Sequence, residues 1–190
     1  MKKKLYVGAV LVLGVLLTAC NSQSQHSQQI ADFSFTNQDG QPFGTNDLTG
    51  KVWIADFIFT KCDTVCPPMT LEMASLQKIV KEEGIDVEFV SFTVDPQIDS
   101  PNVLKQYIQQ FSDDDSNWNL LTGYSQEGIN TFAREQFQTI VQKPASSTQV
   151  LHGTNFYLID GDGRIVKEYN YVEPAYVDDM IRDIKRMSKS

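Results

Sequence analysis

Residues 52–68 read VWIADFIFTKCDTVCPP, and this stretch decides the fold. Its first eight residues form a nearly continuous apolar run, which is typical of a strand buried on both faces. Asp56 interrupts the run, and a buried carboxylate is costly unless it is paired or lies near a functional site. Two cysteines follow, and Pro67 and Pro68 then open a helix in whose first turn a missing N–H costs nothing. The stretch therefore predicts a strand, a cysteine loop and a helix in that order.

The helix after the cysteines carries an apolar stripe at the spacing of one helical face. The stripe consists of Met69, Met73, Leu76 and Val80. Methionine sulfur is also a soft metal ligand, but at this spacing we interpret both methionines as core residues.

The rest of the chain alternates strand and helix patterns. The predicted elements are an N-terminal hairpin over 33–43, a buried strand over 87–94, a helix from 100, a short strand near 120–121, a helix over 125–135, a hairpin over 156–166 and a last helix from about 174. This order predicts an α/β fold, with a central mixed sheet flanked by helices on both faces.

The N-terminus has the pattern of an export signal. Three lysines at positions 2–4 precede an apolar run over 5–17, which is short for a spanning helix of roughly 20 residues. The tetrapeptide LTAC at 17–20 resembles the bacterial lipobox, although an uncleaved anchor is the alternative. We predict a lipoprotein signal peptide over 1–19, a lipidated Cys20, and a location on the extracytoplasmic face of the cell membrane.

Residues 20–29 are predicted to be a flexible tether, in which His26 is a solvated linker residue. Residues 30–190 are the predicted folded domain. Removing residues 1–19 takes away three of the 16 basic residues and none of the 24 acidic ones. The remaining chain is strongly acidic and has no basic stripe, and this charge pattern argues against nucleic-acid binding. It also argues against electrostatic adhesion to an anionic membrane, so the lipid must anchor the chain.

Cys62 and Cys66 form the predicted reactive pair, since Cys20 goes to lipid. Both sulfurs lie near the start of a helix, whose positive end favours thiolate over thiol. A thiolate is both a nucleophile in disulfide exchange and a soft metal ligand. A purely structural disulfide is the alternative, but so short a loop gains little entropy from closure.

His152 is the one histidine of the predicted domain and precedes the strand that begins near Phe156. In a thioredoxin-like sheet this loop lies beside the cysteine loop. Two thiolates and one imidazole suit copper and could also suit zinc. Asp95 and Asp99 follow the second buried strand, where turn and cap chemistry is the simple explanation. Because sites gather at this edge of an α/β sheet, Asp95 is also a candidate for tuning the metal or contacting a partner.

The chain resembles the Sco (SenC) family of copper proteins, which help to assemble cytochrome c oxidase. The resemblance rests on FIFTKC at 57–62 with Cys66-Pro67, on TVDP at 93–96 with Asp99, and on His152 with the turn at 160–164. It implies a thioredoxin-like domain that binds Cu(I) and Cu(II) through Cys62, Cys66 and His152. It also implies service to the dinuclear copper site of oxidase subunit II.

Two functions of different classes follow from these residues. The first is a metallochaperone that passes copper to a partner's thiolates by ligand exchange. The second is a thiol–disulfide oxidoreductase that reduces the partner's cysteines through a mixed disulfide. A peroxidase is a weaker third option, because Phe59 and Asp63 replace parts of the peroxiredoxin pattern.

Overall fold

The chain folds into nine strands and five helices over the residues described by the computed structural model, which are 29–144, 147 and 149–187. In chain order these elements are β1 (Ser34–Thr36), β2 (Pro42–Gly44), α1 (Thr45–Leu48), β3 (Trp53–Ile58), α2 (Cys66–Glu82), β4 (Glu88–Thr93), α3 (Pro101–Ile108), β5 (Trp118–Leu121), α4 (Gln126–Gln136), β6 (Val141–Gln142), β7 (Leu151–His152), β8 (Asn155–Ile159), β9 (Ile165–Asn170) and α5 (Tyr176–Met187).

The central sheet has five strands in the order β5–β4–β3–β8–β9. Strands β3, β4 and β5 are parallel, whereas β8 pairs antiparallel with both β3 and β9. The predicted mixed sheet is therefore confirmed. The predicted N-terminal hairpin is also present, since β1 pairs antiparallel with β2 and places Phe35 opposite Phe43.

Helices cover both faces of the sheet, and the central strand β3 is therefore buried along its whole length. Phe57 and its neighbours on the same face pack in a core with α4, whereas Ile54 and Ile58 face a second core formed with α2, α3 and α5. Met69 and Met73 lie in this second core with no exposed surface. Their interpretation as core residues is confirmed.

The sequence patterns did not predict α1 or the two-stranded sheet of β6 and β7. In that small sheet Val141 lies opposite His152 and Gln142 lies opposite Leu151. Strands of two residues are too short to show an alternating pattern, so periodicity could not find them. This β6–β7 ribbon nevertheless carries the histidine of the predicted site.

The carboxyl ends of the parallel strands β3 and β4 meet at one edge of the sheet. The cysteine loop follows β3 at this edge, and the segment with Asp95 and Asp99 follows β4. Within the described part of the chain, no helix has the length and apolar character needed to cross a membrane. The predicted signal peptide, Cys20 and His26 lie outside the described residues.

Candidate metal centre

The cysteine loop is held between β3 and the segment that follows β4. The Cys62 N–H donates to the Phe59 carbonyl oxygen at 3.2 Å. The Thr60 N–H donates to Asp99 Oδ2 at 3.1 Å, and the Thr60 and Thr93 hydroxyls also donate to the Asp99 carboxylate. Asp99 is completely buried, so this carboxylate fixes the start of the cysteine loop from inside the protein.

Cys66 is the first residue of α2, as the sequence predicted. Pro67 and Pro68 follow it and have no N–H, so the next backbone donor is Met69, which bonds to the Val65 carbonyl oxygen at 3.1 Å. The Cys66 N–H donates to Cys62 Sγ at 3.2 Å. The helix start therefore stabilises negative charge on Cys62 rather than on Cys66.

The two sulfurs differ in protonation. Burial opposes ionisation of Cys62, but interactions with His152 and with the side chain and backbone N–H of Cys66 outweigh burial and lower the pKa of Cys62 to about 6. Burial raises the pKa of Cys66 far above its usual range, and the neighbouring Cys62 raises it further. The prediction that the helix start favours the thiolate holds for Cys62 and is wrong for Cys66 in the metal-free protein, because Cys66 is completely buried beside an anion.

His152 completes the group from the β6–β7 ribbon. Its Nε2 lies 3.3 Å from Cys66 Sγ, and its Nδ1 lies 2.8 Å from the Gly153 carbonyl oxygen. A proton on Nδ1 donates to that carbonyl, so Nε2 is the ring nitrogen that faces the sulfurs and is available to a metal. The Phe59 ring packs edge-on against the imidazole with centroids 5.8 Å apart. The imidazole of His152 is thus oriented by the neighbouring Gly153 carbonyl and by Phe59 at the start of the cysteine loop.

The three side chains together offer a metal-binding group. Cys62 Sγ, Cys66 Sγ and a ring nitrogen of His152 all lie within 4.8 Å of one another. Metal–sulfur and metal–nitrogen bonds of about 2.0 to 2.3 Å require ligand atoms separated by about 3 to 4.5 Å, so small shifts would close the site around one ion. Two sulfurs and one imidazole suit copper or zinc rather than magnesium or calcium.

Residues 21–189 match the family model described as SCO1/SenC. The chain belongs to the SCO1/SenC family. The resemblance found in the sequence is thereby confirmed.

Several relatives resemble this SCO1/SenC chain over nearly their whole length. The SCO1 protein homolog of Bacillus subtilis (strain 168) is 45% identical over 177 residues, which cover 92% of each chain. The structure of a SCO1/SenC family lipoprotein from Bacillus anthracis str. Ames is 57% identical with a TM-score of 0.83, and the match covers 85% of this chain and 96% of that one.

Two further solved structures bear on function. BsSco, described as having a disulfide switch and as a member of the Sco family of cytochrome c oxidase assembly proteins, is 47% identical with a TM-score of 0.79, over 86% of this chain and 95% of that one. Arabidopsis thaliana ScoI with copper bound is 27% identical with a TM-score of 0.71, over 84% and 99%. These likenesses confirm the predicted thioredoxin-like fold.

Asp95 lies outside the group of three ligands in this SCO1/SenC chain. Its carboxylate forms an ion pair with Lys143, whose Nζ lies 2.6 Å from Asp95 Oδ1. Asp99 does more than cap a turn, because it holds Thr60 of the cysteine loop. Sequence reasoning missed Lys143 and Thr60. The ends of two adjacent parallel strands could have indicated Thr60, but no sequence pattern links Lys143 to Asp95.

Asp56 is the buried carboxylate that interrupts β3. It is completely buried, and neither of its carboxylate oxygens has a hydrogen-bond partner, although Ser91 lies opposite in the β3–β4 register. Burial raises the pKa of Asp56 to about 7, while Ser91 and His152 partly oppose that rise. The carboxyl is therefore largely protonated below neutral pH.

Proposed function

We propose that this chain is a copper metallochaperone for the dinuclear copper site of cytochrome c oxidase subunit II. Cys62, Cys66 and His152 would hold both Cu(I) and Cu(II). The observation that carries the proposal is the convergence of two sulfurs and one imidazole within 4.8 Å, at an edge where Cys62 is already poised as a thiolate.

The donor set explains how one site serves both oxidation states. Thiolates are soft ligands that favour Cu(I), and an imidazole added to them suits Cu(II). Cys66 must lose its proton when it binds the metal, because a thiolate and not a thiol is the ligand. Zinc is the metal that the same donors also accept, so the oxidation-state change of copper distinguishes the two.

Partial exposure fits transfer by ligand exchange. Cys66 is completely buried, whereas Cys62 retains 7% of its surface and His152 is partly exposed. An incoming thiolate of the partner would therefore approach the metal from the side of Cys62 and His152. The copper-bound Arabidopsis relative and the description of BsSco as an oxidase assembly protein support copper as the cargo and the oxidase as its destination.

A lipid anchor would place the site at the membrane where the oxidase is assembled. In this proposal residues 1–19 are a signal peptide, Cys20 carries lipid, including the palmitate of a lipoprotein, and residues 20–29 tether the domain over 30–190. The description of the Bacillus anthracis relative as a lipoprotein supports this arrangement. The site would then lie on the extracytoplasmic face, where disulfides can form.

A thiol–disulfide oxidoreductase is the second candidate function, and the unequal protonation of the two cysteines favours it. The Cys62 thiolate would attack a disulfide of the partner and release one partner thiolate, which takes up a proton. Cys66 would then lose its proton and attack the mixed disulfide, releasing the second thiol. The chain ends with a Cys62–Cys66 disulfide and the partner is reduced by two electrons. The disulfide switch described for BsSco supports this chemistry.

Transfer to the copper-binding fragment of subunit II separates the two functions. The copper-loaded chain is mixed with a metal-free fragment whose cysteines have been reduced beforehand, and the spectrum of the dinuclear copper site is followed. A metallochaperone transfers copper to the reduced fragment, and His152→Ala abolishes that transfer while keeping both thiols. If the fragment instead acquires its site from free copper at the same rate whether or not the chain is present, the metallochaperone proposal is wrong.

The oxidised fragment tests the second function. The metal-free dithiol chain should reduce it only if the oxidoreductase function is correct. His152→Ala should retain that reduction above about pH 8.5, where Cys62 ionises without help from the imidazole. Cys62→Ser should abolish both activities, because it removes the attacking sulfur and a copper ligand at once.

A further inference from the structure

Lys143 joins the β6–β7 ribbon to the edge of the sheet that holds the cysteines. Gln142 ends β6, and Lys143 follows it directly. Val141, two residues before Lys143, lies opposite His152 in the antiparallel register. A displacement of Lys143 would therefore move β6, and the pairing of Val141 with His152 would pass that movement to the histidine.

The other end of this contact is rigid. Lys143 Nζ lies 2.6 Å from Asp95 Oδ1, and the Asp95 side chain is only 3% exposed, against 23% for Lys143. The Asp95 N–H donates to Thr93 Oγ1 at 3.1 Å, and the Asp95 carbonyl oxygen accepts from the Asp99 N–H at 2.9 Å. Asp95 is therefore fixed by its own backbone as well as by its partner.

The same segment also holds the cysteine loop. Asp99, four residues after Asp95, accepts the Thr60 N–H at 3.1 Å, and Thr60 lies two residues before Cys62. The segment from Asp95 to Asp99 thus contacts both halves of the metal centre. Asp99 binds Thr60 on the side of the sulfurs, and Asp95 binds Lys143 on the side of the imidazole.

We infer that Lys143 is a positioning residue for His152, acting through its ion pair with Asp95. The inference rests on the proposed copper site and extends it. It assigns the influence of Asp95 on the metal to the ribbon rather than to a direct contact. Without the ion pair the sulfurs stay in place, but the imidazole is no longer held at its distance from them.

Lys143→Met tests the inference in the full-length chain in detergent. Lys81→Met is the matched control, because Lys81 forms an ion pair of similar length, 2.7 Å, with Asp114 and is 34% exposed. Lys143→Arg retains the charge and should restore most of the function. Two readouts are taken: hydrogen exchange of the 151–155 backbone amides in the metal-free protein, and Cu(II) affinity by competition with a chelator.

Lys143→Met is expected to accelerate exchange at 151–155 and to lower Cu(II) affinity about tenfold, the scale seen when a residue that orients a metal ligand is lost. The number of titratable thiols should equal that of the wild type, and Lys81→Met should change neither readout. Unchanged exchange in Lys143→Met, or faster exchange with unchanged copper affinity, overturns the inference.

Two further variants separate this role from the alternatives. Asp95→Asn combined with Lys143→Met leaves no unpaired buried carboxylate, so stability recovers while copper affinity stays low. If Asp95 acts on the metal directly, Asp95→Asn alone lowers affinity and Lys143→Met does not, which contradicts the inference. A wild-type chain that binds no copper defeats the proposed function, whereas the exchange measurement on metal-free protein still tests the contact itself.

Discussion

The two halves of the metal centre are built in different ways. The cysteines lie between a six-residue strand, all of it buried, and a 17-residue helix with a large buried face. The histidine lies on a ribbon of two strands of two residues each. The hydrophobic core therefore fixes the sulfurs, whereas the imidazole is fixed by only a few contacts, which are its bond to the Gly153 carbonyl oxygen, the edge of Phe59 and the pairing of its strand with β6. Substitutions in the core that supports the sulfurs should destabilise the protein, and substitutions in the ribbon should change the metal site with little loss of stability.

Phe57→Ala should give the largest loss of stability. Phe57 is completely buried on β3 and contacts the rings of Phe92, Phe137 and Tyr157. Its loss should lower the free energy of unfolding by about 3 to 5 kcal/mol, measured by urea denaturation. Leu151→Ala in the ribbon is the control, because Leu151 is 63% exposed and should cost at most about 0.5 kcal/mol. Equal losses in the two variants would contradict the comparison.

Asp56→Asn should change the pH dependence of stability. The folded-state pKa of Asp56, about 7, lies above its unfolded value, so the folded protein holds this proton more tightly. Stability contributed by the protonated group is therefore present at low pH and is lost as pH rises through 7. The free energy of unfolding is measured by denaturation at pH 5 and at pH 8. Relative to the wild type, that of Asp56→Asn should be about 2 to 3 kcal/mol higher at pH 8 than at pH 5. A difference between the proteins that does not change with pH would show that Asp56 is ionised throughout.

Gly153→Ala should disturb the ribbon with a smaller effect on stability. A Cβ on Gly153 would collide with Thr139 Oγ1, and the Gly153 carbonyl oxygen is also the contact of His152 Nδ1. The substitution should cost about 1 kcal/mol and lower Cu(II) affinity, and Thr139→Ala in the same chain should restore part of both. If the double variant binds copper no better than Gly153→Ala, the collision does not move the histidine.

Cys62 alkylation should reveal the unequal thiols without any change in stability. In the metal-free protein the rate of reaction with iodoacetamide should rise with a midpoint near pH 6, the pKa of Cys62. Peptide mapping should find Cys62 modified and Cys66 protected. His152→Ala should shift the midpoint upward, towards about 8.5, because it removes the strongest interaction that lowers this pKa. A midpoint that stays near pH 6 in His152→Ala would place the stabilisation in the helix start alone.

The same difference between the two halves explains what the sequence could predict. The buried run over 52–59, the cysteines and the prolines are adjacent in the chain, so the strand, loop and helix could be predicted locally. Only the analogy with a thioredoxin-like sheet predicts the place of His152, because β6 and β7 are too short to show a period. The ion pair between Lys143 and Asp95 joins residues 48 apart and leaves no trace in the sequence pattern. The protonation of Cys66 depends on complete burial, which only the packed structure reveals.

Pulsed electron paramagnetic resonance of the Cu(II)-loaded full-length chain tests most directly whether one imidazole joins the two sulfurs on the metal. The spectrum should show coupling to the remote nitrogen of a single imidazole, together with an optical sulfur-to-copper charge-transfer band. His152→Ala should lose the nitrogen coupling, whereas His26→Ala, which changes the other histidine of the chain, should retain it. Nitrogen coupling that survives in His152→Ala, or is absent from the wild type, would contradict the three-ligand centre.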